Sequence, residues 1–75
     1  MTDIKKEMKD RAWLIRGLVN SLNYDADYIF SDVENYDVIC MGESIKDAKQ
    51  TIQNLVDNVT ELEYLLYLLT QPESR

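Results

Sequence analysis

Apolar residues recur every seven positions between residue 45 and residue 69. One series is Ile45, Ile52, Val59 and Leu66, and a second is Ala48, Leu55, Leu62 and Leu69. Four unbroken heptads, mostly β-branched in the first series and leucine in the second, are typical of helices that wind around each other. Ser44 precedes the series as an N-cap, and neither glycine nor proline follows until Pro72. The sequence therefore predicts a coiled-coil-like helix over about 44–71.

A second apolar stripe, with steps of three and four residues, marks the first third of the chain. Its members are Ile4, Met8, Ala12, Ile15, Val19 and Leu22. This spacing predicts an amphipathic helix over about 3–23. Gly17 lies inside it, at a cost of about 1 kcal/mol relative to alanine. Either another backbone approaches closely at Gly17 or the glycine is simply tolerated.

The segment between these two helices is acidic and gives mixed signals. Asn and Asp residues at 23–27 favour a break or kink, because their side chains compete for backbone hydrogen bonds. Apolar residues nevertheless continue at three- and four-residue steps as far as Cys40. We expect a helical segment over about 25–41, either separate or a bent extension of the first helix, with a short strand at 36–41 as the alternative. Gly42 would end this segment.

Size and composition restrict how such a chain can be stabilised. It has 75 residues, one cysteine and no histidine, which excludes an intrachain disulfide and an ordinary zinc site. One small domain over 1–75 gains little from its own core, so association is the expected source of stability. The predicted fold is all-α, a helical hairpin or three-helix bundle that is dimeric, with a disordered tail at 72–75.

The end of the last helix is the expected site of self-association. Residues 64–69 are apolar on every side, and one neighbouring helix cannot cover such a surface. The predicted self-association residues are Ile52, Leu55, Val59, Leu62, Tyr64, Leu65, Leu66, Leu68 and Leu69.

Charge indicates the kind of partner. The formal net charge is −6, and residues 25–45 contain six acidic side chains and no basic one. An acidic surface repels phosphates, so direct nucleic-acid binding is not expected, whereas a basic protein surface would be attracted. The acidic side chains either imitate a row of phosphates or form an ordinary solvated helix face.

Trp13 lies nearly opposite Ile15 on the first helix, away from the predicted core. A tryptophan beside basic and small residues has the composition of a binding hot spot, unless the middle segment covers it. The predicted partner-binding residues are Trp13, Arg16, Tyr24, Asp25, Asp27, Asp32, Glu34 and Asp37.

The sequence gives little support for catalytic activity or for metal binding. There is no histidine and no glycine-rich loop, and Cys40 between Ile39 and Met41 is expected to be a small core residue. The Asp25-x-Asp27 pair lacks the later glycine and glutamate of a calcium-binding EF-hand loop, since Phe30 and Tyr36 occupy those positions. No enzyme activity, cofactor or metal is expected.

Location and function follow from these patterns. The charged residues 1–11 do not resemble a signal peptide, no apolar run could span a bilayer, and the free thiol favours the cytoplasm. The favoured function is a small acidic protein-binding regulator or inhibitor of the kind found in phages and mobile elements, which could block a basic nucleic-acid-handling protein. The alternative is a structural adaptor or chaperone-like coiled-coil module that binds an apolar helix of its partner.

Overall fold

The computed structural model describes residues 2–71, which form two antiparallel α-helices of 33 residues each. Helix α1 comprises Thr2–Glu34, and helix α2 comprises Val38–Thr70. The part of the chain that is described contains no strand, so the fold is an all-α hairpin, and residues 38–41 begin a helix. Within residues 2–71, neither helix contains an apolar stretch that could span a lipid bilayer. The tail expected at 72–75 lies outside the described residues.

Helix α1 continues through the position where the sequence favoured a break. The first helix does not end near residue 23: of the two alternatives for the middle segment, an extension of the first helix is confirmed as far as Glu34, and residues 38–41 belong to α2. Leu22 and Ile29 keep the apolar stripe facing α2 on both sides of residues 23–27. Packing against α2 over the whole length therefore outweighs the weak helix preference of Asn and Asp.

The chain reverses at residues 35–37. Tyr36 adopts the left-handed conformation, with φ of 54°. Its N–H donates to the carbonyl of Val33 at 3.1 Å, and the N–H of Asp37 donates to the carbonyl of Asp32 at 2.9 Å. These two bonds form a Schellman motif, which satisfies the last carbonyls of α1. Asp37 then caps α2, because its carboxylate accepts a hydrogen bond of 3.2 Å from the N–H of Cys40.

Gly42 and Ser44 consequently lie inside α2, and the predicted boundary at these residues is wrong. Gly42 has no positive φ and ends no helix. Ser44 caps no helix either, because its hydroxyl donates to the Asp32 carboxylate of α1 at 2.6 Å. The turn lies earlier because Asp37 supplies a cap and Tyr36 accepts the left-handed conformation without a glycine.

One row of residues from each helix forms the contact between α1 and α2, which we call the seam. In α1 the row is Ile4, Met8, Arg11, Ile15, Leu18, Leu22, Asp25, Ile29 and Asp32. In α2 it is Met41, Ser44, Ala48, Thr51, Leu55, Asn58, Leu62 and Leu65. Among residues 3–71 full burial is reached at Ala48, with 8% of its surface exposed, and at Leu65, with 3%. The seam is a two-helix contact with very little enclosed core.

The seam uses half of the apolar stripe predicted on α2. The series Ala48, Leu55 and Leu62 faces α1, as expected for a coiled coil. The companion series, which starts at Ile45 and Ile52, remains about half exposed. Polar residues take its place in the seam, so α2 is rotated by about one position from the orientation that its apolar residues alone would favour.

The hairpin is long and thin. It measures 60 × 16 × 12 Å, with a radius of gyration of 17.3 Å. A compact domain of this length would have a radius of gyration of about 11 Å. Most side chains therefore remain accessible from outside.

Candidate functional site

Trp13 projects from the outer face of α1, with 70% of its surface exposed. The guanidinium carbon of Arg16 lies 5.6 Å from the centroid of the indole ring, close enough for a cation–π interaction. Trp13, Arg16, Gly17 and Asn20 together line a shallow open hollow on this face. The middle segment does not cover the ring, because it continues α1 along the same axis.

Gly17 shapes the hollow by having no side chain. A Cβ atom built at this position would meet no atom within 4 Å, so no other part of the hairpin approaches the backbone closely there. Trp13 and Gly17 line the same hollow, so this open space adjoins the tryptophan side chain. A partner side chain could enter the hollow beside Trp13 without displacing any residue of the hairpin.

Further predicted partner residues extend this surface towards the turn. Tyr24 is one heptad from Gly17 and is exposed. Asp27 and Glu34 are also exposed, at seven-residue steps from Trp13 and Asn20. We call Trp13, Arg16, Gly17, Asn20, Tyr24, Asp27 and Glu34 the outer face of α1. It combines two aromatic rings, one cation and two carboxylates.

Three other predicted acidic residues do not lie on this outer face. Asp25 accepts a hydrogen bond of 3.0 Å from the hydroxyl of Thr51, and Asp32 accepts the bond from Ser44. Asp37 caps α2, and the N–H of Cys40 holds the pKa of its carboxyl below the ordinary value. The acidic segment is therefore divided between the outer face, the seam and the turn.

The hydrogen bonds between polar side chains of the seam were not predicted from the sequence. Besides Asp25 and Asp32, the Arg11 guanidinium donates to the side-chain oxygen of Asn58 at 2.9 Å. The amide of Asn58 also donates to the carbonyl of Asn54 within α2, which fixes its orientation. A signal for these links exists in the sequence, where Ser44, Thr51 and Asn58 recur at seven-residue spacing beside the apolar series.

The predicted self-association residues divide into two groups. Leu55, Leu62, Leu65 and Leu68 are buried or half-buried. The exposed members are Ile52, Val59, Tyr64, Leu66 and Leu69. The hairpin therefore leaves the second group available for another surface.

Cys40 is exposed, so the prediction that it belongs to the core is wrong. A hydrogen bond and the nearby negative charge of Asp37 raise the pKa of its thiol. A raised pKa lowers the fraction of reactive thiolate at neutral pH. No group of three Cys, Asp or Glu side chains within the described residues is arranged to hold a metal ion.

Comparisons with protein-family models, curated proteins and solved structures gave no match to this chain.

Proposed function

We propose that this chain is a protein-binding regulator or inhibitor with no catalytic activity of its own, and that it contacts its target through the outer face of α1. The observation that carries the proposal is the exposure of Trp13 beside the stacked Arg16 and the open hollow at Gly17. We expect it to act in the cytoplasm, where the Cys40 thiol would remain reduced.

Tryptophan and arginine are the residue types that contribute most often to binding hot spots. About 70% of the surface of Trp13 is in contact with water, and burial of its apolar part by a partner is favourable. The cation–π contact orders Arg16 before binding, so less side-chain entropy is lost when a partner docks. The hollow at Gly17 gives the partner a place for one small apolar group.

A basic nucleic-acid-handling protein is the proposed class of target. Asp27 and Glu34 lie on the outer face, and the chain carries a net charge of −6. Opposite charge accelerates association and gives a strong salt dependence. Phosphate imitation in this form depends on Asp27 and Glu34, because Asp25 and Asp32 hold the two helices together.

The test compares proteins captured from cell lysate by the immobilised chain and by a Trp13→Ala variant. We expect a target retained by the wild type to be lost from the variant, whose helix content and melting temperature should be unchanged because Trp13 is exposed. Tyr67→Ala is the matched control, since Tyr67 is an exposed aromatic residue on α2. Equal capture by the wild type and Trp13→Ala would contradict the proposal.

The charge component is tested separately with the captured target. Asp27→Asn combined with Glu34→Gln should weaken binding and reduce its dependence on salt. Asp57→Asn combined with Glu43→Gln removes the same charge from α2 and is the control. A salt dependence that is the same in both double variants would exclude phosphate imitation by the outer face.

An adaptor or chaperone-like role is the second candidate. It is favoured by the exposed apolar end of α2, where Tyr64, Leu66, Tyr67 and Leu69 are each more than half exposed. Replacement of Tyr64 and Tyr67 by serine leaves the buried Leu65 in place and should keep the hairpin folded. The adaptor role would be favoured over the regulator if this double variant lost target binding and if binding by the wild type were nearly independent of salt.

A further inference from the structure

One side of the hairpin is lined by apolar residues of both helices. Each of these residues directly follows a residue of the seam, and together we call them the apolar flank. They are Ala12, Val19, Ala26 and Val33 in α1, with Ile45, Ile52, Val59 and Leu66 in α2, and Lys5 adds one charged residue at the end of the α1 row remote from the turn. Because the helices are antiparallel, residues that follow equivalent seam positions lie on the same side of the hairpin. The two rows therefore form one continuous surface.

The other side of the hairpin has a different composition. The residues that directly precede Met8, Ile15, Leu22 and Ile29 in α1 and Met41, Ala48, Leu55 and Leu62 in α2 lie there, and we call them the polar flank. They are Glu7, Leu14, Ser21 and Tyr28 in α1, with Cys40, Asp47, Asn54 and Glu61 in α2. Five of these eight residues are polar or charged, whereas the apolar flank has one charged residue among nine.

The exposed area of the chain corresponds to what a stable dimer needs. A compact monomer of 8.8 kDa is expected to expose about 4,800 Å², whereas this chain exposes 6139 Å². The excess is about 1,300 Å² for each chain, or about 2,600 Å² for a pair, within the range of obligate homodimer interfaces. Since Ala48 and Leu65 are the fully buried residues of the described chain, the hairpin has little core of its own.

The hydrogen bonds of the seam define which residues of the apolar flank are opposite each other. Thr51 pairs with Asp25, and Ser44 pairs with Asp32 one heptad away. The residues that follow them, Ile52 and Ala26, are therefore opposite each other. Along the flank the row in α1 contains two alanines and two valines, while the row in α2 is bulkier.

We propose that a second copy of this chain packs on the apolar flank and completes a four-helix bundle, with α1 of each protomer against α2 of its partner. This arrangement sets a row of small side chains against a row of large ones at both new helix contacts, which fills the space evenly. Packing α1 on α1 would instead pair small with small and large with large. Four helices then enclose the core that two cannot.

Charges along the edges of the apolar flank agree with this pairing. Arg16 and Glu63 each border the flank, four residues after Ala12 and Val59 respectively. With the same register between protomers, Arg16 lies near Glu63 of the partner subunit, which has the opposite charge. Trp13 remains outside the bundle, so dimerisation leaves the hollow on α1 accessible.

The first experiment measures the mass of the full chain in solution by sedimentation over a wide range of concentration. We expect a species of twice the 8.8 kDa chain mass. Ile52→Lys inserts a charge into both halves of a symmetric interface and should raise the dissociation constant by about a hundredfold. Leu14→Lys is the matched control on the polar flank, with 49% of its surface exposed against 46% for Ile52, and should remain dimeric.

A wild-type monomer at all concentrations would overturn the proposal, as would dissociation of both lysine variants to the same extent. Helix content by circular dichroism identifies a variant that fails to fold. In that case Ile52→Ala and Val59→Ala, which add no charge, should still raise the dissociation constant, and unchanged dimerisation of both would refute the interface. Binding of a target through Trp13 is measured independently of this result.

The single cysteine allows the arrangement of the two protomers to be measured. Spin labels on Cys40 would be less than about 35 Å apart in the proposed bundle, because both turns lie at the same end and each helix is about 10 Å wide. Packing α1 on α1 places the turns at opposite ends, with the labels more than about 45 Å apart at a rise of 1.5 Å per residue. The longer distance would overturn the proposed pairing of α1 with α2.

Discussion

The Thr51 hydroxyl of α2 lies 3.0 Å from the Asp25 carboxylate of α1 and donates a hydrogen bond across the middle of the seam. Ser44 and Asp32 repeat the same arrangement one heptad closer to the turn. Both bonds occupy seam positions that an apolar coiled coil would fill with leucine or isoleucine. Polar pairs at such positions fix the register of two helices, since a shift of one helix would leave their groups unpaired.

Stepwise removal of the Thr51–Asp25 pair tests how much this hydrogen bond contributes to the free energy of unfolding. Asp25→Ala should lower the free energy of unfolding by about 1–2 kcal/mol, because it removes a hydrogen bond to a charged acceptor across the seam; the Thr51 hydroxyl keeps the carbonyl of Asp47 as an acceptor within α2. A double-mutant cycle with Thr51→Val, measured by urea unfolding, should give a coupling energy of about 1 kcal/mol. The exposed pair Gln50 and Asn54 is the control and should show less than about 0.5 kcal/mol. Equal coupling energies in the two pairs would contradict the prediction that the hydrogen bond across the seam stabilises the hairpin more than an exposed pair within one helix.

Gly17→Ala should stabilise α1 and place a methyl group in the hollow beside Trp13. The added Cβ meets no neighbouring atom, so the helix gains about 1 kcal/mol from the higher propensity of alanine. Gly42→Ala is the matched control, because it also lies in open space inside a helix. Both variants should melt at higher temperature, but only Gly17→Ala should weaken target binding. Equal binding by the two variants would mean that the hollow is not used.

Tyr36→Gly should stabilise the hairpin by about 1 kcal/mol, because glycine adopts the left-handed conformation without the steric strain that tyrosine carries. The change is measured as a shift in the midpoint of chemical unfolding. Tyr28→Gly, in a helix interior, is the opposite control and should destabilise the protein. A lower stability of Tyr36→Gly would show that the tyrosine ring makes contacts that outweigh its backbone strain.

The cap at Asp37 predicts a pH dependence of stability. The pKa of its carboxyl is lowered in the folded state, so its contribution is present at neutral pH and is lost as the pH falls through that lowered value, below 3.8. Asp37→Asn keeps a capping side chain but removes the titration. Thermal unfolding between about pH 5 and pH 2 should therefore lose stability less steeply in this variant. Identical slopes would exclude a contribution from Asp37.

The thiol of Cys40 should react slowly for an exposed cysteine. Its pKa is raised by the hydrogen bond and the charge of Asp37, so little thiolate is present at neutral pH. Asp37→Asn removes the charge and should accelerate modification by a disulfide reagent, with the midpoint of the rate–pH profile moved to lower pH. Asp57→Asn changes the net charge equally at a distant position and should leave the rate unchanged.

Several features of the fold could be predicted from residue spacing. The apolar steps of α1 and the heptads of α2 predicted two long helices, because periodicity shows which side chains share a helix face. The same reasoning placed Trp13 opposite Ile15 and off the apolar stripe, but it left open whether the middle segment covers the ring, and the structure shows Trp13 exposed. The site of the turn was missed because glycine and serine at 42 and 44 gave a stronger local signal than Tyr36 and Asp37. A tyrosine in the left-handed conformation has no distinctive sequence signature.

Residue spacing is enough to predict that this protein is helical, that each helix has one apolar stripe, and that Trp13 lies off that stripe. Packing of the two helices against each other selects which half of each stripe is buried between them. Periodicity cannot make that choice, because neighbouring rows such as those of Ile52 and Thr51 differ by only one residue of rotation. Hydrogen bonds of Asp25 and Asp32 with α2 turn the polar row inwards, and the isoleucine row remains on the surface.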